Sequence, residues 1–78
     1  MTSLSRVHAL SRSDSQRRIR MIQLQELEDF NNRRIILLAR LINDAVDYFP
    51  ETVAVLETLL QASTARREAI NAAIEALL

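Results

Sequence analysis

Ile35-Ile-Leu-Leu-Ala-Arg-Leu-Ile-Asn-Asp-Ala-Val-Asp-Tyr-Phe-Pro50 is the stretch that decides the fold. Ile35, Leu38, Ile42, Ala45 and Phe49 recur at alternating intervals of three and four, which places them on one helix face. Ile36, Leu37, Ala39, Leu41, Val46 and Tyr48 extend the apolar cover over most of the circumference, leaving Arg40, Asn43, Asp44 and Asp47 polar. A surface helix needs an apolar stripe about 100° wide, whereas a helix apolar nearly all round is buried on several sides. One partner helix cannot cover this segment. A lone hairpin would leave about half of it wet, and at ~25 cal/mol per Å² the loss is several kcal/mol, comparable to a small domain's whole stability. The expectation is a homodimer with a four-helix-type core, its centre made by Ile35, Leu38, Leu41, Ile42, Ala45 and Phe49.

Working outward, Pro50 ends the apolar run, because proline cannot donate to the preceding turn and pushes Phe49 out of the helical region. Upstream, Ser13-Asp14-Ser15-Gln16 has capping-box spacing, and no Gly or Pro intervenes before Phe49. These signals predict helix A over 14–49. Between Ile19 and Phe30 its apolar stripe narrows, as for a helix packed on one side only. Downstream, Pro suits a first helical position and Glu51 the first turn, so helix B is expected over 51–78. Its heptad runs Val53, Leu56, Leu60, Ser63, Arg67, Ile70, Ile74 and Leu77. Ser63 and Arg67 interrupt that seam, and a second reading breaks helix B near residue 63, where Ser63-Thr64 could cap a new start. The fold class read here is all-α: one long and one shorter helix in a hairpin, dimerising into a four-helix-type bundle. Pro50 as a mere kink in a longer rod is the alternative. Residues 14–78 make the single helical domain, and 1–13 form a Ser/Arg-rich lead, mobile or a short helix on Leu4, Val7 and Leu10.

The whole chain has 78 residues, ten Arg against ten acids, and no Gly, Cys or Lys. Without Gly there is no phosphate-cradling loop or dinucleotide fingerprint. Without Cys there is no disulfide framework, thiolate nucleophile or zinc ribbon. A compact chain of this size buries only about 63% of its unfolded surface, so oligomerisation is the remaining route to robustness. The longest apolar run, Ile35 to Ala39, falls far short of the ~20 residues a membrane span requires. Residues 1–13 share the acid-free, Ser/Arg-rich composition of a transit peptide, but the reading adopted is a cytoplasmic protein of a bacterial or host cell. Residues 1–25 hold five Arg against Asp14, a balance of +4, and residues 26–78 hold five Arg against nine acids, a balance of −4. The two parts attract.

Catalysis is not expected. The one His, His8, has no neighbouring carboxylate in sequence, and a general base must be oriented and partly desolvated. Helical-bundle metal sites use a Glu-x-x-His step, which is absent, and Asp44 and Asp47 share one face but flank the polar stripe with Arg40, four residues before Asp44. No cofactor, metal or small-molecule substrate is therefore expected. Arg17, Arg18 and Arg20, Arg33 and Arg34, and Arg40 are the candidate phosphate contacts, with Arg33 and Arg40 seven apart on one face. The competing reading pairs Arg33 with Asp29 and Arg40 with Asp44, each four residues away, in surface ion pairs worth tenths of a kcal/mol.

The stretch from Arg40-Leu-Ile through Pro50-Glu-Thr-Val-Ala-Val-Leu-Glu57 resembles the end of the long helix and the turn in the nodavirus family of RNA-silencing suppressors. The resemblance implies an all-helical dimer that binds double-stranded RNA, with Arg40 as an RNA contact and Arg33 at the basic position seven before it. Arg40 lies one residue farther from Pro50 than in that family. Three functions follow as expectations. The first is a non-enzymatic homodimer that binds a macromolecular partner, protein before double-stranded RNA, as a regulator, inhibitor or adaptor of phage, viral or bacterial type. The second is a double-stranded RNA-binding suppressor of RNA silencing. The third is a small assembly or secretion chaperone that exchanges its dimer seam for a client's helix and so exposes apolar surface when free.

Overall fold

A computed structural model describes residues 3–78, with side chains described from Arg12 onward. Two helices, α1 (Ser3–Ala45) and α2 (Pro50–Leu77), pack against each other as a hairpin. The result is a rod of 70 × 14 × 14 Å. Pro50 reverses the chain. Phe49, at φ −138° and ψ 65°, is the non-helical residue that Pro50 demands before it.

Helix boundaries differ from the sequence expectation at both ends of α1. The helix starts at Ser3, not near Asp14, so the Ser13–Gln16 capping box lies within it. No breaker separates Ser3 from Ser13, and a capping side chain acts only where the backbone has unpaired N–H groups to satisfy. The lead is therefore continuous with α1 in its backbone. The side chains of Leu4, Val7, His8 and Leu10 lie outside the described residues. At the other end α1 stops at Ala45, four residues before Phe49. Pro50 offers no N–H to continue the ladder, and the last turn tightens instead. Tyr48 N–H donates to the Ala45 carbonyl at 3.1 Å, and Phe49 N–H donates to the same oxygen at 2.7 Å.

Helix α2 runs unbroken through residue 63. Thr64 does not cap a new helix; its Oγ1 donates to the Leu60 carbonyl at 2.9 Å, as a mid-helix threonine does. Ser63 is instead part of the seam, 2% exposed. Among the described side chains of α1, and apart from half-buried Asn32 beside the seam, the buried and half-buried positions are Met21, Leu24, Glu28, Asn31, Ile35, Leu38, Ile42 and Ala45. They follow a strict three-four alternation. On α2 the matching positions are Val53, Leu56, Leu60, Ser63, Ile70, Ile74 and Leu77, with Arg67 exposed. The hairpin is thus a two-stranded antiparallel coil with seams of the heptad a and d type.

Its middle layer is polar. Asn31, 1% exposed, donates from Nδ2 to the Ser63 carbonyl at 2.9 Å, and its Oδ1 has no partner. This bond sets residue 31 beside residue 63 and hence fixes the register of the whole hairpin. A buried seam Asn specifies register at a cost in stability. We predict that Asn31→Leu raises stability by about 1 kcal/mol, because the orphaned Oδ1 leaves with the amide while the Ser63 backbone carbonyl keeps its bond within the helix. Thermal unfolding would register this as an increase of about 4–8 °C in a domain of this size, and a lower midpoint would refute it.

Candidate interaction face

With the seam fixed at a and d, every other side chain has a place around the rod. Two helices running antiparallel are related by a two-fold axis perpendicular to the plane of their axes. The same heptad flank of each helix therefore lies on the same side of the pair. Positions g and c of α1 are Leu27, Phe30, Arg34, Leu37, Leu41, Asp44 and, in the turn past the helix end, Tyr48. Each is exposed. Positions g and c of α2 begin with Thr52, Val55, Leu59 and Ala62 and continue as Arg66, Ala69, Ala73 and Ala76. Together they give the hairpin one broad apolar side.

The other side is different in kind. Positions e and b of α1 include Gln25, Asp29, Asn32 and Asn43, interrupting Ile22, Ile36, Ala39 and Val46. On α2 they are Glu57, Gln61, Thr64, Glu68, Asn71 and Glu75, apart from Ala54 near the turn and Leu78 at the chain end. Scattered apolar residues between polar ones are ordinary surface, whereas a contiguous apolar patch marks a contact site. A shallow groove on the apolar side, lined by Phe30, Arg33, Arg34 and Leu37, gives that patch relief.

The six residues expected at a dimer core divide between two jobs. Ile35, Leu38, Ile42 and Ala45 face α2 and close the hairpin itself. Leu41 is 41% exposed and Phe49 64% exposed, so both remain free to meet something else. Leu41 lies on the apolar side and Phe49 at the corner. The apolar circumference of the 35–49 segment is thereby split into a face turned to α2 and a face without a partner.

The candidate phosphate contacts do not converge. Arg33 and Arg40 stand on the outer edge of α1 at successive f positions, while Arg34 sits among the apolar g and c residues. Arg17, Arg18 and Arg20 lie about 20 Å or more farther along α1, near the level at which α2 ends, and all six side chains are exposed. Arg33 Nε donates to the Asp29 backbone carbonyl at 3.4 Å. Arg40 and Asp44 share a second shallow depression with Ile36, Ala39 and Asn43. Among the described residues no group of three or more His, Cys, Asp or Glu could hold a metal ion. Nor is any described helix long and apolar enough to cross a membrane.

Reading the sequence missed two features. Asn31 was not assigned to the seam, although counting back seven from Leu38 reaches it and a further seven reaches Leu24. The apolar g and c stripe was not separated from the seam, because that separation needs the position of α2. No protein-family model, curated protein or solved structure matches the chain.

Proposed function

We propose that this protein is a non-enzymatic homodimer of helical hairpins that acts by occupying a macromolecular partner, as a small regulator, inhibitor or adaptor. One observation carries the reading: most of the exposed large apolar residues of the turn half, Phe30, Leu37, Leu41, Tyr48, Val55 and Leu59, lie on one side of the rod, against Ile36 and Val46 on the other. The hairpin exposes 6448 Å², against about 4,800 Å² for a compact body of its mass. The excess, roughly 1,600 Å² per copy, measures how far the rod departs from a compact body, and a second helical layer would cover part of it. Burial of the apolar part of that surface favours association, and the surplus over the cost of ordering two copies sets the affinity.

Light scattering on the full chain at micromolar concentration tests the dimer. Twice the chain mass of 8.9 kDa is expected. A stable compact monomer would overturn the reading, and a monomer that also binds an apolar dye strongly would favour the client-exchange chaperone instead. A pull-down from host lysate with and without nuclease then tests the partner class, with nuclease-resistant capture expected. Double-stranded RNA is the competing partner. A gel shift that weakens as salt rises and disappears in Arg40→Ala would replace the protein-partner reading with the RNA one, because phosphate contacts release counterions.

A further inference from the structure

From Phe30 to Tyr48, in the turn just past its end, the apolar side of α1 is a palindrome. Read about Ala39, Phe30 mirrors Tyr48, Arg34 mirrors Asp44, and Leu37 mirrors Leu41. Each mirrored pair is complementary: aromatic with aromatic, cation with anion, leucine with leucine. A two-fold interface presents the same patch from both copies, so residue i meets j and j meets i. A helix stripe that reads as its own complement when reversed meets that requirement with a second copy and with few other surfaces.

We infer that a second copy of this chain docks on the g and c side, α1 against α1 and antiparallel, with the two-fold axis level with Ala39. Arg34 then meets the partner's Asp44 twice over, once on each side of the axis. The inference rests on the homodimer reading above and adds its face, direction and register. Three further observations fit it. First, the hairpin register of 31 beside 63 places residue 55 level with residue 39, so Val55, exposed on the same side, falls on the axis against its own copy. Second, the overlap that results covers α1 from about residue 29 and α2 to about residue 65, a stretch of roughly 30 Å. Large apolar residues on this side fall almost entirely within it. Beyond it α2 offers only Arg66, Ala69, Ala73 and Ala76, small residues that lose little by staying wet. Third, charge opposes the alternative. A parallel arrangement would set the basic run of Arg17, Arg18 and Arg20 beside itself and the acidic corner of Asp44, Asp47 and Glu51 beside itself. Two helices side by side are about 20 Å wide, so the overlap presents a footprint of roughly 600 Å² per partner, at the lower end of the range for stable interfaces.

Exchange of the paired charges is the test, read by sedimentation equilibrium on the full chain. Arg34→Asp alone gives each copy two acids at the contact, and Asp44→Arg alone gives two cations. Each single variant is expected to weaken the dimer at least tenfold. The double variant, Arg34→Asp with Asp44→Arg, is expected to restore it to within about threefold of wild type. Mixing the two single variants in equal amounts should also restore association, since each supplies the sign the other lacks, and this distinguishes pairing between copies from an effect within one. Small-angle scattering gives an independent readout: this register makes a dimer about 110 Å long, against about 70 Å for hairpins fully overlapped. A dimer unmoved by either single change, a double variant weaker than both singles, or a 70 Å particle would overturn the register and leave the homodimer standing. A wild-type chain that stays monomeric at 100 µM would overturn both.

Discussion

Leu38→Arg leaves the protein without a cooperative thermal transition. Leu38 sits at a seam position between Asn31 and Ala45 and is 6% exposed, one of three buried apolar side chains among the described residues, with Leu24 and Ile70. Removing its burial costs about 1.5–3 kcal/mol. Placing an unpaired guanidinium between the helices adds several kcal/mol more, because no acid occupies the neighbouring layers and the desolvated charge has no compensating contact. An Arg that bends from this position toward water, as the exposed Arg67 does at its own seam position, leaves Ile35 and Leu56 without the packing Leu38 gave them. The sum approaches the lower part of the 5–15 kcal/mol that holds a whole domain. Far-UV circular dichroism on heating measures it. Leu38→Met, which keeps the volume, should retain the transition at a cost below about 1.5 kcal/mol. A Leu38→Arg variant with full helicity and a sharp melt would mean that the hairpin packs on another face.

The turn, the all-helical class and the α2 seam were legible because each rests on a local signal: Pro50 for the reversal, and unbroken three-four spacing for Val53 through Leu60 and Ile70 through Leu77. What was not legible depended on a second helix. Asn31 and Glu28 read as polar, and only the packed hairpin reveals that an amide can occupy a seam if a backbone carbonyl, here that of Ser63, is close enough to accept from it. Ser63 showed the same ambiguity in reverse. Its residue type suggested a helix start, yet its small side chain serves to admit Asn31. The start of α1 was missed because a capping box is a necessary pattern at some helix ends and an ordinary run of polar residues elsewhere. Charge was legible as a total and not as a pattern. Arg34 and Asp44 are ten apart in the chain, too far to pair along one helix, and acquire complementary meaning only when the stripe is laid against a reversed copy of itself.

The sharpest consequence concerns two neighbouring residues that composition cannot tell apart. Ile36 and Leu37 are adjacent, both apolar, and exposed to 53% and 56%. A step of one residue turns the helix by 100°, so Ile36 joins the mixed polar side while Leu37 joins the apolar one. Leu37→Asp should therefore dissociate the dimer, and Ile36→Asp should not. At the proposed interface Leu37 packs beside Leu41 across the two-fold axis, so one substitution removes two leucines from the contact and introduces two carboxylates about the same axis. Losing each leucine costs about 1.5–3 kcal/mol, and each unpaired carboxylate held from water adds to that. The combined effect is on the order of a 10⁴-fold rise in the dissociation constant. At position 36 the new carboxylate stays in water, three residues after Arg33 and four before Arg40, where helix neighbours of opposite charge gain tenths of a kcal/mol. Its dissociation constant should stay within about threefold of wild type. Analytical ultracentrifugation of both variants measures the contrast. Equal weakening by the two changes, or a larger effect from Ile36→Asp, would place the second copy on the opposite side of the hairpin.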